Sequence, residues 1–171
     1  MHFVNRQLAP KILEAAAAFP CVVLTGPRRV GKTTLLGRLF PKAQYWLFED
    51  PEIIDRFRSD PAGFMDQVKL PVIFDEVQNV PEIFGYVRAR IDKHPKRYGQ
   101  YFLTGSQQAP LMAGVSESMA GRAAALSLLP LSIEETSKVG LLFGGYPEIV
   151  AKPKMSSLRM SSYIQTYLER D

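Results

Sequence analysis

Val22-Val23-Leu24-Thr25-Gly26-Pro27-Arg28-Arg29-Val30-Gly31-Lys32-Thr33-Thr34-Leu35-Leu36 decides how this chain is read. The apolar residues up to Thr25 suit a short strand buried on both faces, and the residues from Lys32 onward open a helix. Between them Gly26, Gly31, Lys32 and Thr33 fill the pattern G-x-x-x-x-G-K-[ST], in the strand–loop–helix setting that a phosphate-binding loop requires. With glycine near 7% of positions, a chance match in a chain of this size is under ~1%. Each residue has a chemical reason. Glycine lets the backbone take positive φ and approach phosphate without a Cβ clash. The loop of Gly26, Pro27, Arg28, Arg29, Val30, Gly31, Lys32, Thr33 and Thr34 can wrap phosphate, its backbone N–H groups, from all but Pro27, forming an anion nest at a helix N-terminus. Lys32 supplies a mobile point charge for β- and γ-phosphates, and Thr33 a hard hydroxyl for Mg²⁺.

Outward from the loop, the second chemical signal is Val72-Ile73-Phe74-Asp75-Glu76. Three apolar residues make a strand that ends in two carboxylates. Ligands of open α/β sheets bind at the carboxyl ends of strands, where the loop also lies. Asp75 suits a water-mediated grip on Mg²⁺, and Glu76 a general base that polarises the attacking water. Tyr101-Phe102-Leu103-Thr104-Gly105-Ser106 reads as a further strand closing on small polar residues. If it lies between the other two, Ser106, ahead of Thr104, can sense the terminal phosphate; ordinary turn chemistry is the simpler alternative. Arg122 begins a strand over 121–128. It reads equally as a contact to nucleotide in cis, a finger reaching a neighbour in trans, or a structural ion pair.

The remaining segments supply layers. Residues 3–19 predict a helix with Leu8, Ile12, Leu13 and Ala16 inward, stopped by Pro20. Residues 44–48 predict an aromatic strand. Asp50-Pro51 and Asp60-Pro61 (or Ser59) predict capped helix starts, although Glu49 and Asp50 could also approach a metal through water. Pro81 to Lys93 predicts a helix with Val80, Ile83, Phe84, Val87 and Ile91 on its buried face. Lys93-His94-Pro95-Lys96-Arg97 is a basic connector that can touch phosphates, with a solvated loop as the simpler reading. Ser132 with Glu135 predicts a capping box opening a short helix. Residues 109–119 read as loop or short helix, 140–145 as a glycine-rich link, and 155–170 as another helix.

Composition bounds the class. The chain has 171 residues, 46% hydrophobic and 22% charged, in the range of one globular domain. No apolar run approaches the ~20 residues of a membrane span, and the N-terminus lacks the pattern of a secretory signal. A single cysteine, Cys21, fits a packed residue in a reducing cytoplasm. The net charge of +4 is weak support for nucleic acid as a partner.

Taken together, Gly26-Pro27-Arg28-Arg29-Val30-Gly31-Lys32-Thr33-Thr34, Phe74-Asp75-Glu76-Val77-Gln78, Leu103-Thr104-Gly105-Ser106, Gly121-Arg122-Ala123 and Leu129-Pro130-Leu131-Ser132 resemble prokaryotic AAA-like P-loop ATPases of the archaeal-ATPase and STAND kind. The resemblance implies a RecA-like (ASCE) three-layer α/β/α fold with a parallel sheet of order 5-1-4-3-2. It implies ATP and Mg²⁺ as cofactors, with Asp75 on the metal, Glu76 as base and Ser106 as sensor. Gly144-Gly145-Tyr146-Pro147-Glu148 resembles the start of that family's C-terminal domain, so the expected division is an ATPase domain over 1–137 and the beginning of a second over 138–171. Beside the family pattern this chain reads as shortened inside and cut at its end. Residues 140–171 would then offer a surface to a protein partner or a second copy. The function expected is Mg²⁺-dependent ATP binding with slow hydrolysis driving a regulatory switch. The alternatives are a scaffold with negligible turnover, a DNA-stimulated ATPase using residues 88–97, and, less well matched, a metabolite kinase.

Overall fold

The computed structural model describes residues 3–106, 119–140 and 144–152, with Ser161 and Gln165. The predicted loop or helix at 109–119 (except Met119), residues 141–143 of the glycine-rich link, and the predicted helix at 155–170 (except Ser161 and Gln165) lie outside the described residues.

Five parallel strands form one sheet: β1 (Cys21–Thr25), β2 (Gln44–Leu47), β3 (Val72–Asp75), β4 (Tyr101–Thr104) and β5 (Ala123–Ser127). Their order is β2-β3-β4-β1-β5, the predicted 5-1-4-3-2 read from the other edge. All four pairings are parallel, with Leu24 level with Thr104, Phe74 with Leu103, and Thr25 with Ser127. β4 therefore lies between β1 and β3, the condition for Ser106 to reach the site.

Strand alternation divides the core into two layers. Cys21, Val23, Val72, Phe74, Tyr101 and Leu103 face one side. There they meet Phe57 of α3 (Pro51–Ser59), Phe64 and Met65 of α4 (Pro61–Gln67), and Ile83, Phe84, Val87 and Ile91 of α5 (Ile83–Lys93). Val22, Leu24, Ile73 and Phe102 face the other side. There Ile12 and Ala15 of α1 (Ala9–Ala18) and Leu35 and Leu36 of α2 (Lys32–Leu39) cover them. Cys21 is fully buried in this core, and burial pushes its thiol pKa up.

Several local expectations are corrected. The first helix starts at Ala9, not at residue 3, because Pro10 has no N–H to give the carbonyl four residues back. Leu13 is about half exposed; Ile12 and Ala15 carry the buried stripe instead. Asp50 Oδ1 accepts from the Glu52 N–H at 3.0 Å, and Asp60 Oδ1 from the Gly63 N–H at 2.9 Å. Both act as helix caps. The Ser132–Glu135 box closes reciprocally, with 3.0 and 3.2 Å bonds, yet the segment stays a turn. A short helix, α6 (Pro147–Ala151), follows Gly144 and Gly145. The Leu131 N–H donates to the Gly145 carbonyl at 2.7 Å. A Cβ on Gly145 would stand 1.8 Å from the Leu131 oxygen, so only glycine permits this approach.

Candidate functional site

The loop after β1 is shaped by its glycines. Gly26 has φ +137°, and a Cβ there would stand 2.1 Å from the Leu128 carbonyl oxygen. Gly31, at φ +95°, ends the loop and precedes α2 with open space beside it. Arg29 holds a left-handed φ of 62°. The Lys32 ammonium folds back over the loop and donates to the carbonyls of Gly26 (2.8 Å) and Pro27 (2.9 Å). Burial lowers its pKa, opposed by the charges of Glu76 and Asp75.

Across the loop stands the end of β3. The Thr33 hydroxyl donates to Asp75 Oδ2 at 2.5 Å, and the Tyr45 hydroxyl donates to the same oxygen at 2.9 Å. Burial raises the Asp75 pKa, while these two hydrogen bonds oppose the shift. A buried carboxylate converging with an alcohol oxygen suits a small hard cation that keeps its waters and takes further oxygens from phosphates. Thr33 and Asp75 fit Mg²⁺ on that ground.

Glu76 has φ +55°, a left-handed turn that swings its side chain back over the strand ends. Its Oε2 accepts from the Ser106 hydroxyl (3.1 Å) and from Gln78 Nε2. Arg28 of the loop closes the circuit, its Nε donating to Ser106 Oγ at 3.4 Å and its Nη2 lying 3.9 Å from Glu49. Lys32, Thr33, Asp75, Glu76 and Ser106 thus come together at the carboxyl edge of the sheet. Thr104 is fully buried at the end of β4, and its hydroxyl has no hydrogen-bond partner among the described residues.

Arg122 does not join them. Its carbonyl accepts from the Cys21 N–H at the amino end of β1, about four strand residues or ~13 Å from the loop. Its guanidinium forks onto Asp92 at 2.6 and 3.2 Å. The contact to nucleotide in cis is thereby corrected to a structural ion pair, because strand direction puts residue 122 at the opposite edge.

Sequence reasoning missed three contributors. Tyr45 sits inside an aromatic strand with nothing to mark its hydroxyl as special. Gln78 follows Glu76 by two residues, near enough to have been considered. Arg6 is a lone cation in a polar N-terminal stretch. Its guanidinium donates to the loop carbonyl of Val30 (2.9 Å), to the Leu129 carbonyl, and to Glu135 Oε1 (3.0 Å). Both members of the Arg6–Glu135 pair are about 6% exposed. Burial would raise the Glu135 pKa, but the Gln7 and Ser132 N–H groups and Arg6 outweigh it and hold it low.

A cavity of about 510 Å³ opens beside the loop, lined by Phe3, Val4, Arg6, Val30, Gly31, Thr34, Arg38, Leu131 and, from α6, Pro147 and Val150. Its mixed lining and size fall within the ~300–1,000 Å³ usual for small-molecule sites.

A parallel five-stranded sheet with this loop and an acidic β3 end defines a P-loop ATPase fold. Residues 18–137 match the family described as AAA domain, and the chain belongs to that family. Uncharacterized protein Rv2008c of Mycobacterium tuberculosis (strain ATCC 25618 / H37Rv) is 30% identical over 174 residues, and Mb2031c of Mycobacterium bovis matches equally. The alignment covers 98% of this chain, which spans 39% of the length of those relatives. Among solved structures, the Walker-type ATPase PABY2304 of Pyrococcus abyssi is similar with a TM-score of 0.55 at 19% identity, over 78% of this chain and 55% of that one. PCH-2 of C. elegans is similar with a TM-score of 0.51 at 15% identity, over 77% and 45%. Both are likenesses of fold.

Proposed function

We propose that this chain is an Mg²⁺-dependent ATPase of slow turnover, whose hydrolysis drives a conformational or regulatory switch. The observation that carries the proposal is the meeting of Thr33 and Asp75 directly across from Lys32, with Glu76 held beside them by Ser106 and Gln78. Lys32 and the loop amides hold the β- and γ-phosphates. The cavity beside Thr34 and Arg38 takes the nucleoside. Thr33 and Asp75 would hold Mg²⁺, which would supply charge neutralisation for the phosphates. Glu76 orients water for in-line attack, and Ser106 reports the terminal phosphate through its bond to Glu76. The barrier falls mainly through positioning and charge stabilisation.

From the edge of the sheet opposite the loop, Arg122 serves as a finger toward a neighbouring chain. Residues 1–137 form the ATPase unit in this reading. Residues 138–171 begin a second that meets a protein partner or another copy. The end of the family match at residue 137 supports that division, and the single buried cysteine supports a cytoplasmic setting.

The test is ATP binding and turnover in Lys32→Ala and Glu76→Gln. The first should lose nucleotide binding. The second should keep binding and lose turnover by about 100-fold or more. Unchanged turnover in both would sink the proposal. Tight ATP binding by the unaltered chain with turnover at background would favour the scaffold reading instead.

A further inference from the structure

The edge of the sheet opposite the phosphate loop carries a second concentration of positive charge. α5 ends at Lys93, and the connector to β4 runs through His94, Lys96 and Arg97, all exposed. Cations in the last turn of a helix complement its dipole and need no further explanation. Here, however, they continue beyond the helix, and Lys93, His94 and Arg97 line a cavity of about 130 Å³. Its polar walls are Arg90, Lys93, His94, Arg97, Gln100 and Tyr101, over a floor of Leu70 and Ile91.

Only one of these cations is neutralised. Arg90 donates to Asp66 at 2.6 Å and to the Ala62 carbonyl. Among the described residues, Lys93, His94, Lys96 and Arg97 make no ion pair. The second acid near this edge, Asp92, is occupied by Arg122. Tyr101 is 95% buried, but its side chain lines the cavity and its hydroxyl keeps access to that space, with no hydrogen bond among the described residues. The cavity therefore offers neutral donors as well as charge, in a volume suited to one tetrahedral oxyanion. Tyr98, about half exposed on the same connector, adds an aromatic face to one side.

We infer that this edge is an anion site that takes the phosphodiester backbone of a nucleic-acid strand. One phosphate seats against Arg97, Lys93 and the Tyr101 hydroxyl. Lys96 meets a flanking phosphate, and Tyr98 offers stacking to an adjacent base. Nucleic acid is favoured over an acidic protein because a tetrahedral oxyanion matches the compact donor set and a base matches the exposed ring. The site is independent of the proposed hydrolysis. It lies at the amino ends of β3 and β4, so nucleotide and strand do not compete for space.

The experiment is fluorescence anisotropy of the full chain with a fluorescein-labelled single-stranded oligonucleotide, across about 50–200 mM salt. Affinity should fall with salt with a log–log slope of about −2 to −3, for three to four neutralised phosphates at ~0.7 each. The double variant Lys93→Glu with Arg97→Glu, both on exposed positions, should bind at least about tenfold more weakly. It should also reduce the slope by about 1.4. Tyr101→Phe keeps the ring and the core and should weaken binding about threefold. Lys32→Ala should bind the oligonucleotide like the unaltered chain. Circular dichroism confirms that each variant is folded, and Tyr101→Phe with the single Lys96→Glu serves if the double variant is not. Unaltered affinity in the charge reversals overturns the inference, as does loss of binding in Lys32→Ala. Displacement of the oligonucleotide by polyglutamate at equal charge concentration also overturns it, assigning the surface to an acidic protein.

Discussion

Tyr45 and Gln78 show how much of the site depends on groups that do not touch phosphate. The Tyr45 hydroxyl fixes one Asp75 oxygen, leaving the carboxylate one orientation toward Thr33. Partners that orient a metal ligand are commonly worth 10–100-fold in metal affinity. Tyr45→Phe should therefore raise the Mg²⁺ concentration for half-maximal ATP-dependent thermal stabilisation by about tenfold, with ATP affinity in excess Mg²⁺ unchanged. Gln78 holds Glu76 with its amide N–H, while its own Oε1 is buried without a partner among the described residues. In the proposed mechanism, an acceptor at that place beside Glu76 can order the attacking water. Gln78→Ala should lower turnover about tenfold, the worth of one good hydrogen bond, and leave the ATP dissociation constant within twofold in equilibrium titration.

The elements around the loop are tied by one buried ion pair. Arg6, just before α1, joins the loop at Val30 to the segment after β5 at Leu129 and Glu135. Removing one member of such a pair strands the other charge and typically costs about 3–5 kcal/mol. Arg6→Ala should lose that much in urea unfolding. Arg6→Lys should recover little, because an ammonium cannot fork between two carbonyls and a carboxylate. The pair also sets a pH dependence. The Glu135 pKa is held below its ordinary 4.5, so the folded state binds its proton less readily than the unfolded one. Its contribution is complete above the unfolded pKa and is lost as pH falls through the folded pKa. The stability gap between the unaltered chain and Glu135→Gln should be constant well above the ordinary carboxylate pKa and narrow as pH falls below it. Urea titrations at stepped pH would check this.

The molecule as a whole has two working edges on one sheet. The carboxyl edge gathers β1, β3 and β4 with their loops, and the amino edge carries the basic connector. Nucleotide with Mg²⁺ should stabilise the whole fold by mass action, by about 2.7 kcal/mol at a hundredfold excess over its dissociation constant. Thermal melts should show the shift in the unaltered chain and in Glu76→Gln, and not in Lys32→Ala.

How far the chain could be read in advance follows from the range of each interaction. The phosphate loop, the two Asp-Pro helix starts, the buried face of α5 and the acidic end of β3 were all readable, because each is set by neighbours within a few residues. The first helix starts later than its periodicity suggests because of Pro10, and its face is turned so that Leu13 lies outward. What linear order could not disclose are the meetings of Tyr45 with Asp75, Gln78 with Ser106 and Arg6 with Glu135, which lie 30, 28 and 129 residues apart. Those follow from strand order and strand direction. The same directions carried Arg122 to the far edge, where Asp92 holds it. The proposed phosphate cup is written into the backbone of consecutive residues, whereas the groups proposed to orient a metal and a water are brought together only when the sheet closes.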